Sequence, residues 1–406
     1  MKRSEVDEPF FREWIRRGPG QRRSLERARL LLHALSIDPQ ELPPTICVVG
    51  SKGKGTAVAA ATVTLLSQGL RVGSIMSPAF RTLRERIRIN GVAIDEAVYG
   101  ALSAKLSNAL EQLPETHDGY LSPSGAYMLA GIRALLDQNV DCLVIEEGIG
   151  GQSDEIGLFQ PDVLLVTQIF LEHADVLGES IEAIARDLVG ICTRDTRSLL
   201  TICGQDAEVS AVIEEIASES GVTVLVPLLT TREASALQHV PGLSRGNAEL
   251  GVAGAITLMN DINHSEIALT LRNLWLPGRL STHTSPNGSS NWVADAAINA
   301  TGASAALEWC RENVGEPDLV LVSVPISKDR DGCLAALHGL PVQEIAGSPH
   351  LEFAMQHDGL PLPDLSTYLA TQTPNRGLVL ALGTVTFIGD VLEYLDVNTA
   401  TWIQPG

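Results

Sequence analysis

The chain has 406 residues, a length typical of two to three domains of roughly 150 residues each, which excludes a single small module. Its 29 Lys and Arg against 49 Asp and Glu give a formal net charge of −20, so the surface repels phosphate backbones and anionic headgroups, and general nucleic-acid binding is not expected. Hydrophobic residues at 45% and charged residues at 19% are the proportions of a globular protein with packed cores.

The six cysteines are scattered, without a CxxC pair or a close Cys/His cluster, and predict neither a zinc knuckle nor a disulfide framework. The N-terminal sequence MKRSEVDEPFFREW has no continuous apolar stretch after its basic residues. No apolar run in the chain approaches the roughly 18 residues of a membrane span. We therefore expect a soluble, cytoplasmic protein with no membrane contact.

The predicted elements of the first part alternate between helices and short apolar strands. A helix is expected over 24–35 (SLERARLLLHAL), then a strand over 45–50 and, after a glycine-rich turn, a second helix (TAVAAATVTLLSQGL). The strands expected after these cover 71–77, 142–148, 162–169 and 199–204, with helices near 124–138, 180–190 and 206–219. This alternation predicts a mostly parallel sheet with helices on both faces.

A second, smaller α/β unit is expected to begin near Leu276-Pro277-Gly278-Arg279 and to repeat the alternating plan. Its candidate strands cover 292–296, 318–324 and 378–383, and its candidate helices 301–313 and 384–395. The polar run 282–291 (THTSPNGSSN) is typical of a hairpin loop or connection inside this unit. The predicted domains are therefore 1–276 and 277–406.

The strongest local motif is Gly50-Ser51-Lys52-Gly53-Lys54-Gly55-Thr56, between a predicted strand and a predicted helix. In such a loop, glycines let backbone N–H groups approach phosphate oxygens, the lysine neutralises charge near the β- and γ-phosphates, and the hydroxyl binds magnesium. The pattern GxxGKGT is shorter than the common GxxxxGK[ST], and a flexible glycine turn is the alternative interpretation. The motif predicts a nucleotide-phosphate site.

Two acidic segments follow neighbouring predicted strands. Glu146-Glu147-Gly148 ends the 142–148 strand, and Glu172-His173-Ala174-Asp175 follows the 162–169 strand. Ligands of open α/β sheets bind outside the carboxyl ends of the strands, and carboxylates are ligands that suit magnesium. A solvated strand end and a structural histidine are the alternatives for these two segments.

The order and spacing of these motifs resemble the folylpolyglutamate synthase branch of the Mur ligase family over nearly the whole chain. The segments similar to that family's GTNGKGS, SPHL…ERIRING, ExGxGGRLDATN and LDHxxxLGxTxxxIAxEKAGI motifs are 50–56, 77–91, 146–154 and 171–191. Those similar to its PGR, DGAHN and GSLYLVGE motifs are 277–279, 295–299 and 383–389. The resemblance implies a P-loop-containing, mostly parallel sheet ATPase domain followed by a smaller Rossmann-like α/β C-terminal domain.

The resemblance also implies an activity: an ATP-dependent, magnesium-dependent ligase that joins a carboxylate to an amino acid such as glutamate through an acyl phosphate. The implied catalytic residues are Lys54, Glu146 and His173. The implied nucleotide-binding residues are Gly50, Ser51, Gly53, Lys54, Gly55, Thr56, Asn247, Arg279 and Asp295. Thr56, Ser77 and Glu146 would surround a first magnesium, and His173 would face a second metal.

The departures from the family pattern concern both catalysis and substrate choice. Leu188 replaces the lysine whose carbamate binds the second magnesium, with Glu147, Glu172 and Asp187 as candidate replacements for that ligand. Further replaced positions are Ile298 and Ala300 in DGAHNP, Gln152 and Gly157 in GGRLDATN, and Ala79 and Phe80 in SPHL. The favoured hypothesis is a ligase whose carboxylate need not be folate. A non-catalytic nucleotide-binding or partner protein is the alternative, and a small-molecule P-loop kinase is a third, weaker one.

Overall fold

The computed structural model describes residues 4–115, 119–347, 362–372 and 377–404. Its strands form one sheet of eight strands and a second sheet of five. The strands of the first sheet are β1 (Thr45–Val49), β2 (Val72–Ile75), β3 (Ile87–Ile89), β4 (Val92–Ala93), β5 (Cys142–Glu146), β6 (Val163–Val166), β7 (Ser198–Thr201) and β8 (Val224–Leu225). The strands of the second sheet are β9 (Arg279–Thr284), β10 (Asn291–Asp295), β11 (Leu319–Ser323), β12 (Val342–Glu344) and β13 (Leu378–Gly383).

The helices lie between these strands and around them. They are α1 (Glu8–Arg16), α2 (Leu25–Ala34), α3 (Lys54–Ser67), α4 (Glu96–Glu111), α5 (Pro123–Asp137), α6 (Ala174–Leu177), α7 (Ile181–Val189), α8 (Ala207–Ser220), α9 (Thr231–Ala236), α10 (Gly242–Leu258), α11 (His264–Leu271), α12 (Ala300–Asn313), α13 (Arg330–Ala336), α14 (Leu365–Thr371) and α15 (Val385–Tyr394). Single 3₁₀ turns cover Glu5–Asp7, Leu83–Arg86 and Glu155–Leu158. No helix among the described residues is both long enough and apolar enough to cross a membrane.

The first sheet has the strand order β4-β3-β2-β5-β1-β6-β7-β8 and is parallel from β2 to β8, whereas β3 and β4 run antiparallel at one edge. Its centre, β1, is buried along its whole length. Alternate β1 residues face opposite sides, so that Cys47 packs in one core cluster and Ile46 and Val48 in the other. Helices cover both faces, as a fully buried parallel sheet requires.

The second sheet repeats this plan on a smaller scale, with the order β12-β11-β13-β10-β9 and only β9 antiparallel. Trp292 and Ala294 of β10 pack on one face and Val293 on the other. The predicted α/β fold class is confirmed. The polar run 282–291 forms the end of β9, a turn and the start of β10, so its prediction as a hairpin connection is also confirmed.

The C-terminal segment 399–403 returns to the first sheet and is fastened there by a buried arginine. The Arg88 guanidinium donates to the carbonyl oxygens of Thr399 and Ala400, each at 2.8 Å, and lies 4.5 Å from the centre of the Trp402 ring. Trp402 N in turn donates to Gly91 O at 3.1 Å, and Trp402 packs in the core of the first sheet. One buried cation therefore connects the end of the chain to β3 and β4.

Replacing Arg88 by methionine is expected to lower the free energy of unfolding by about 3 kcal/mol, because several buried carbonyls and the Glu85 carboxylate lose a charged donor. Urea denaturation measures this change. Arg29→Met is the matched control, since Arg29 is exposed and pairs only loosely with Glu26 at 3.5 Å, and a change within about 0.5 kcal/mol is expected there. Equal stability of the two variants would contradict the anchoring role of Arg88.

Candidate active site

The loop between β1 and α3 turns through two glycines in the left-handed region, Gly50 with φ +129° and Gly53 with φ +92°. Larger residues are excluded there, since a Cβ on Gly50 would lie 2.3 Å from Thr167 Oγ1 and one on Gly53 would lie 2.1 Å from Asn247 Nδ2. Helix α3 begins directly afterwards, at Lys54. The loop therefore ends in a helix N-terminus at the carboxyl edge of the first sheet, an arrangement that favours anions.

Helix α10 holds α3 in this position and brings Asn247 beside the loop. The two helices pack closely at Gly251, where a Cβ would lie 2.2 Å from Ala57 O. Asn247, about one turn earlier in α10, is buried against Gly53. The structure therefore brings Asn247 together with Gly50, Ser51, Gly53 and Gly55, as the sequence predicts, although Asn247 lies outside the cavity described next.

A cavity of about 390 Å³ lies over the loop, at the carboxyl ends of β1, β2, β5 and β6. Its lining contains the predicted site residues Gly50, Ser51, Lys54, Ser77 and His173. It also contains Leu188 and two of the candidate replacement ligands, Glu147 and Glu172. Lining residues that were not among the predicted site residues include Trp14, Arg23, Arg86, Tyr120 and Lys328.

Lys54 and Glu147 form a buried ion pair in this cavity. Lys54 Nζ lies 3.0 Å from Glu147 Oε1 and also donates to Gly50 O. Burial acts to lower the pKa of Lys54, but the charges of Glu147 and Glu146 outweigh it and raise that pKa. Burial raises the pKa of the Glu147 carboxyl above its usual range, against the charge of Lys54. The second oxygen, Glu147 Oε2, is buried with no hydrogen-bond partner among the described residues.

Glu146 ends β5 and faces the start of α3. Its Oε2 accepts a hydrogen bond from Ser77 N at 3.1 Å and lies close to Gly55, the second residue of α3. Burial raises the pKa of Glu146 to about 7, opposed by the charges of Lys54 and Arg279. Thr56 follows in the same helical turn and is buried. Glu146, Ser77 and the first turn of α3 are thus adjacent, as predicted.

His173 forms part of the cavity wall, beside Glu172. It has a left-handed backbone with φ +53° and immediately precedes α6. Burial lowers the pKa of His173, and the charge of Lys328 lowers it further, whereas Glu172 acts in the opposite direction. Lys328 follows β11, so the second sheet contributes a cation to this wall. Among the described residues, no group of three or more His, Cys, Asp and Glu side chains is placed to hold a metal.

Arg279 and Asp295 face each other across β9 and β10. Asp295 Oδ2 accepts from Leu280 N at 2.9 Å, and burial raises the pKa of Asp295 to about 6, against the charge of Arg279. The Arg279 guanidinium lies 5.9 Å from the centre of the Phe80 ring, and its charge lowers the pKa of Glu146. Neither residue lines the cavity, so both stand outside the pocket itself.

Several lining residues come from segments in which sequence reasoning found no functional motif. Trp14 lies in α1, and Arg23 precedes α2 and forms an ion pair with Asp154 at 2.9 Å. Arg86 is buried and donates to Ser77 Oγ at 3.2 Å. Of these residues, the sequence could have pointed only to Arg86 and Asp154, because they fall in the segments similar to ERIRING and GGRLDATN.

The replaced family positions have definite surroundings. Leu188 of α7 is 2% exposed and lines the cavity. Its neighbour Asp187 accepts from Gly151 N at 2.7 Å and from Ser153 Oγ at 3.0 Å, outside the cavity lining. Gln152 donates to Gly190 O at 2.8 Å. Ile298 packs on the core of the second sheet.

Comparison with known proteins gives no match to a family model. The chain is 25% identical over 383 residues to the dihydrofolate synthase/folylpolyglutamate synthase of Escherichia coli, covering 94% of this chain and 75% of that protein. It is 27% identical over 366 residues to human mitochondrial folylpolyglutamate synthase, covering 79% of this chain and 61% of that protein. The aligned region therefore spans about three fifths of the human relative.

The fold is shared with solved structures of the same group. The apo folylpolyglutamate synthase of L. casei superposes with a TM-score of 0.80 at 22% identity, over 97% of this chain and 100% of that one. The alignment with the E. coli protein and this shared fold agree with the ordered motifs and confirm the resemblance. The chain is thus similar in sequence to the folylpolyglutamate synthases of the Mur ligase family over most of its length, and it shares their fold.

Proposed function

We propose that the chain is an ATP-dependent ligase that joins a carboxylate to an amino acid such as glutamate, with a carboxylate that need not be folate. The observation that carries the proposal is the meeting of Lys54, Glu146 and Glu147 at one buried point over the glycine loop. A buried cation and two carboxylates at a helix N-terminus are suited to phosphate and magnesium rather than to structural support.

In this proposal the nucleotide phosphates lie on the 50–56 loop. The N–H groups at the start of α3 and the Lys54 ammonium would neutralise the β- and γ-phosphates. Asn247, Arg279 and Asp295 would contact the rest of the nucleotide from outside the cavity. A solved folylpolyglutamate synthase of Mycobacterium tuberculosis that shares this fold is complexed with ADP and AMPPCP, which supports ATP as the nucleotide.

Magnesium fits the oxygen groups present at the first turn of α3. The hydroxyls of Thr56 and Ser77 and the carboxylate of Glu146 would hold it, and Glu146 already lies within hydrogen-bond distance of Ser77 N. Magnesium commonly takes one or two carboxylates and fills its shell with water and substrate phosphates, so a cluster of three acidic side chains is not required. When bound, it would neutralise charge that develops on the transferred phosphoryl group.

The proposed reaction has two steps. A substrate carboxylate oxygen attacks the γ-phosphorus, the bond to the bridging oxygen of ADP breaks, and an acyl phosphate forms. The amine nitrogen then attacks the acyl carbon, the bond to phosphate breaks, and the amine loses a proton as the amide forms. Positioning and charge neutralisation supply most of the rate enhancement in such transfers, so Lys54 and the helix N-terminus have the largest roles. Lys328 would complete the cavity from the second sheet.

The part of the cavity lined by Trp14 and Tyr120 is the proposed site of the carboxylate substrate. These two side chains offer aromatic surface, and Arg23 and Arg86 offer positive charge to the cavity. A planar, anionic molecule matches this combination. Glutamate as the amine is supported by the names of the relatives, which are folylpolyglutamate synthases.

A non-catalytic nucleotide-binding protein is the second candidate, and two observations favour it. Lys54 is already neutralised by Glu147, and Leu188 places an apolar side chain in the cavity where the family has a lysine. In this case the chain would bind ATP without turnover.

Product analysis distinguishes the candidates. Purified protein with magnesium, ATP, glutamate and a set of carboxylates, including dihydropteroate and a reduced folate, is expected to release ADP and phosphate together with an amide detected by mass spectrometry. ATP bound without ADP release would support the non-catalytic candidate. A phosphorylated acceptor without amide would indicate a kinase and contradict the proposal.

Lys54→Ala is expected to lower ATP turnover at least about a hundredfold, because the γ-phosphate loses its buried cation. Circular dichroism should show an intact fold, since Glu147 becomes protonated when Lys54 is removed. Lys105→Ala is the control and is expected to keep full turnover, because Lys105 is half-exposed, pairs with Asp137 at 2.7 Å and does not line the cavity. Unchanged ADP production by Lys54→Ala would contradict the proposed phosphate site.

A further inference from the structure

We propose that Glu147 is a metal ligand of the nucleotide-bound protein, supplying the carboxylate that Leu188 does not provide, and that Lys54 covers Glu147 until phosphate arrives. The inference rests on the proposed function, because it needs a nucleotide phosphate at the loop. It assigns a role to a residue of this chain that falls at an unspecified position of the family motif similar to 146–154.

The burial and contacts of the Glu147 carboxylate are those expected of a metal ligand. The residue is 2% exposed and lines the cavity. One oxygen holds Lys54 Nζ at 3.0 Å, and the other is buried with no hydrogen-bond partner among the described residues. A buried carboxylate oxygen without a partner is costly, and a cation is the most effective way to satisfy it.

The two other acidic residues near this part of the cavity fit the role less well. Asp187 precedes Leu188, but its Oδ1 accepts from Gly151 N and Ser153 Oγ, so its carboxylate fastens the 150–153 loop. Glu172 is only partly buried, and its charge acts on the cations Lys52 and Lys54 and on His173. Glu147 alone among the three is both buried and unsatisfied.

Phosphate binding would exchange the partners of Lys54. The ammonium sits on a flexible four-carbon stem, and the same loop that carries Lys54 presents its N–H groups to the phosphates. The polyphosphate carries several negative charges, so it competes well against a single carboxylate for Lys54. Glu147 would then lose its paired cation, and a divalent cation could displace the carboxyl proton and bind Glu147 together with the newly arrived phosphate oxygens.

Because Leu188 replaces the family's lysine, another residue must supply the anionic metal ligand in this cavity. Leu188 lines the same cavity as Glu147 and His173 and presents only methyl groups to it. A second cation facing His173 would therefore draw its anionic ligand from β5 rather than from α7. Lys54 would keep that site closed in the absence of nucleotide, so metal and nucleotide would bind together.

Manganese titration followed by electron paramagnetic resonance tests this inference, with AMPPCP as the nucleotide. Wild-type protein is expected to bind two Mn²⁺ per chain with AMPPCP and to show no tight site without it. In Glu147→Gln, AMPPCP still binds, but one of the two Mn²⁺ sites is expected to weaken at least about tenfold. The control is Glu155→Gln. Glu155 is also buried and its Oε2 also has no hydrogen-bond partner among the described residues, but Glu155 does not line the cavity. This variant is expected to keep both Mn²⁺ sites.

A rescue experiment separates ligand loss from structural damage. Adding Leu188→Lys to Glu147→Gln, in bicarbonate buffer, provides a lysine that can form a carbamate in the same cavity as the lost carboxylate. Return of the second Mn²⁺ site in this double variant supports the inference. An unrescued site in a double variant that still binds AMPPCP normally contradicts the equivalence of the two positions and overturns it.

Besides an unrescued double variant, two further results overturn the inference while leaving the proposed function intact. One is normal AMPPCP binding with a single Mn²⁺ in the wild-type protein, and the other is two unchanged Mn²⁺ sites in Glu147→Gln. Failure of the wild-type protein to bind AMPPCP at all would instead overturn the proposed function, and this inference with it.

Discussion

The site depends on one backbone constraint, the left-handed turns at Gly50 and Gly53 that connect the central strand to α3. They allow the helix to begin at Lys54, directly over the carboxyl edge of the sheet. Every other group in the cavity is placed relative to this point. Glu146 and Glu147 come from the neighbouring strand β5, whose Glu146 is in register with Val48 of β1. Because the strands are parallel, their carboxyl ends bring these charged side chains together at one edge of the sheet.

Burial determines how these charges behave. In water, a lysine and two glutamates would keep their ordinary pKa values, but in this cavity burial raises the pKa of both carboxyls, and the charges of the glutamates raise the pKa of Lys54. Two residues of the cavity lining come from the N-terminal segment: Trp14 lies in α1, and Arg23 lies just before α2. The N-terminal segment therefore belongs to the wall of the site, although it lies far from the loop in sequence.

The sequence predicted what depends on local pattern. Parallel strands such as β1 and β5 are continuous apolar runs, and the loop at 50–56 has a recognisable spacing, so both could be identified. The antiparallel hairpin of β3 and β4 was not predicted, because the charged residue Arg88 interrupts its apolar pattern. The burial of Arg88 is explained by its hydrogen bonds to the carbonyls of Thr399 and Ala400, which are distant in sequence. The Lys54–Glu147 pair was equally out of reach, since sequence order does not reveal which of two adjacent glutamates faces a lysine 93 positions away.

The return of the C-terminal segment has a mechanical consequence. The polypeptide passes from the first sheet to the second near residue 276 and passes back near residue 398, and the two crossings lie side by side, with Trp275 N bonded to Trp402 O at 2.8 Å and Trp275 Nε1 bonded to Asn398 O at 3.2 Å. Two adjacent crossings resist twisting about their common direction more than a single linker does. Any opening between the sheets is thereby directed into a hinge bend, which would carry Lys328 and Arg279 toward or away from the loop along one path.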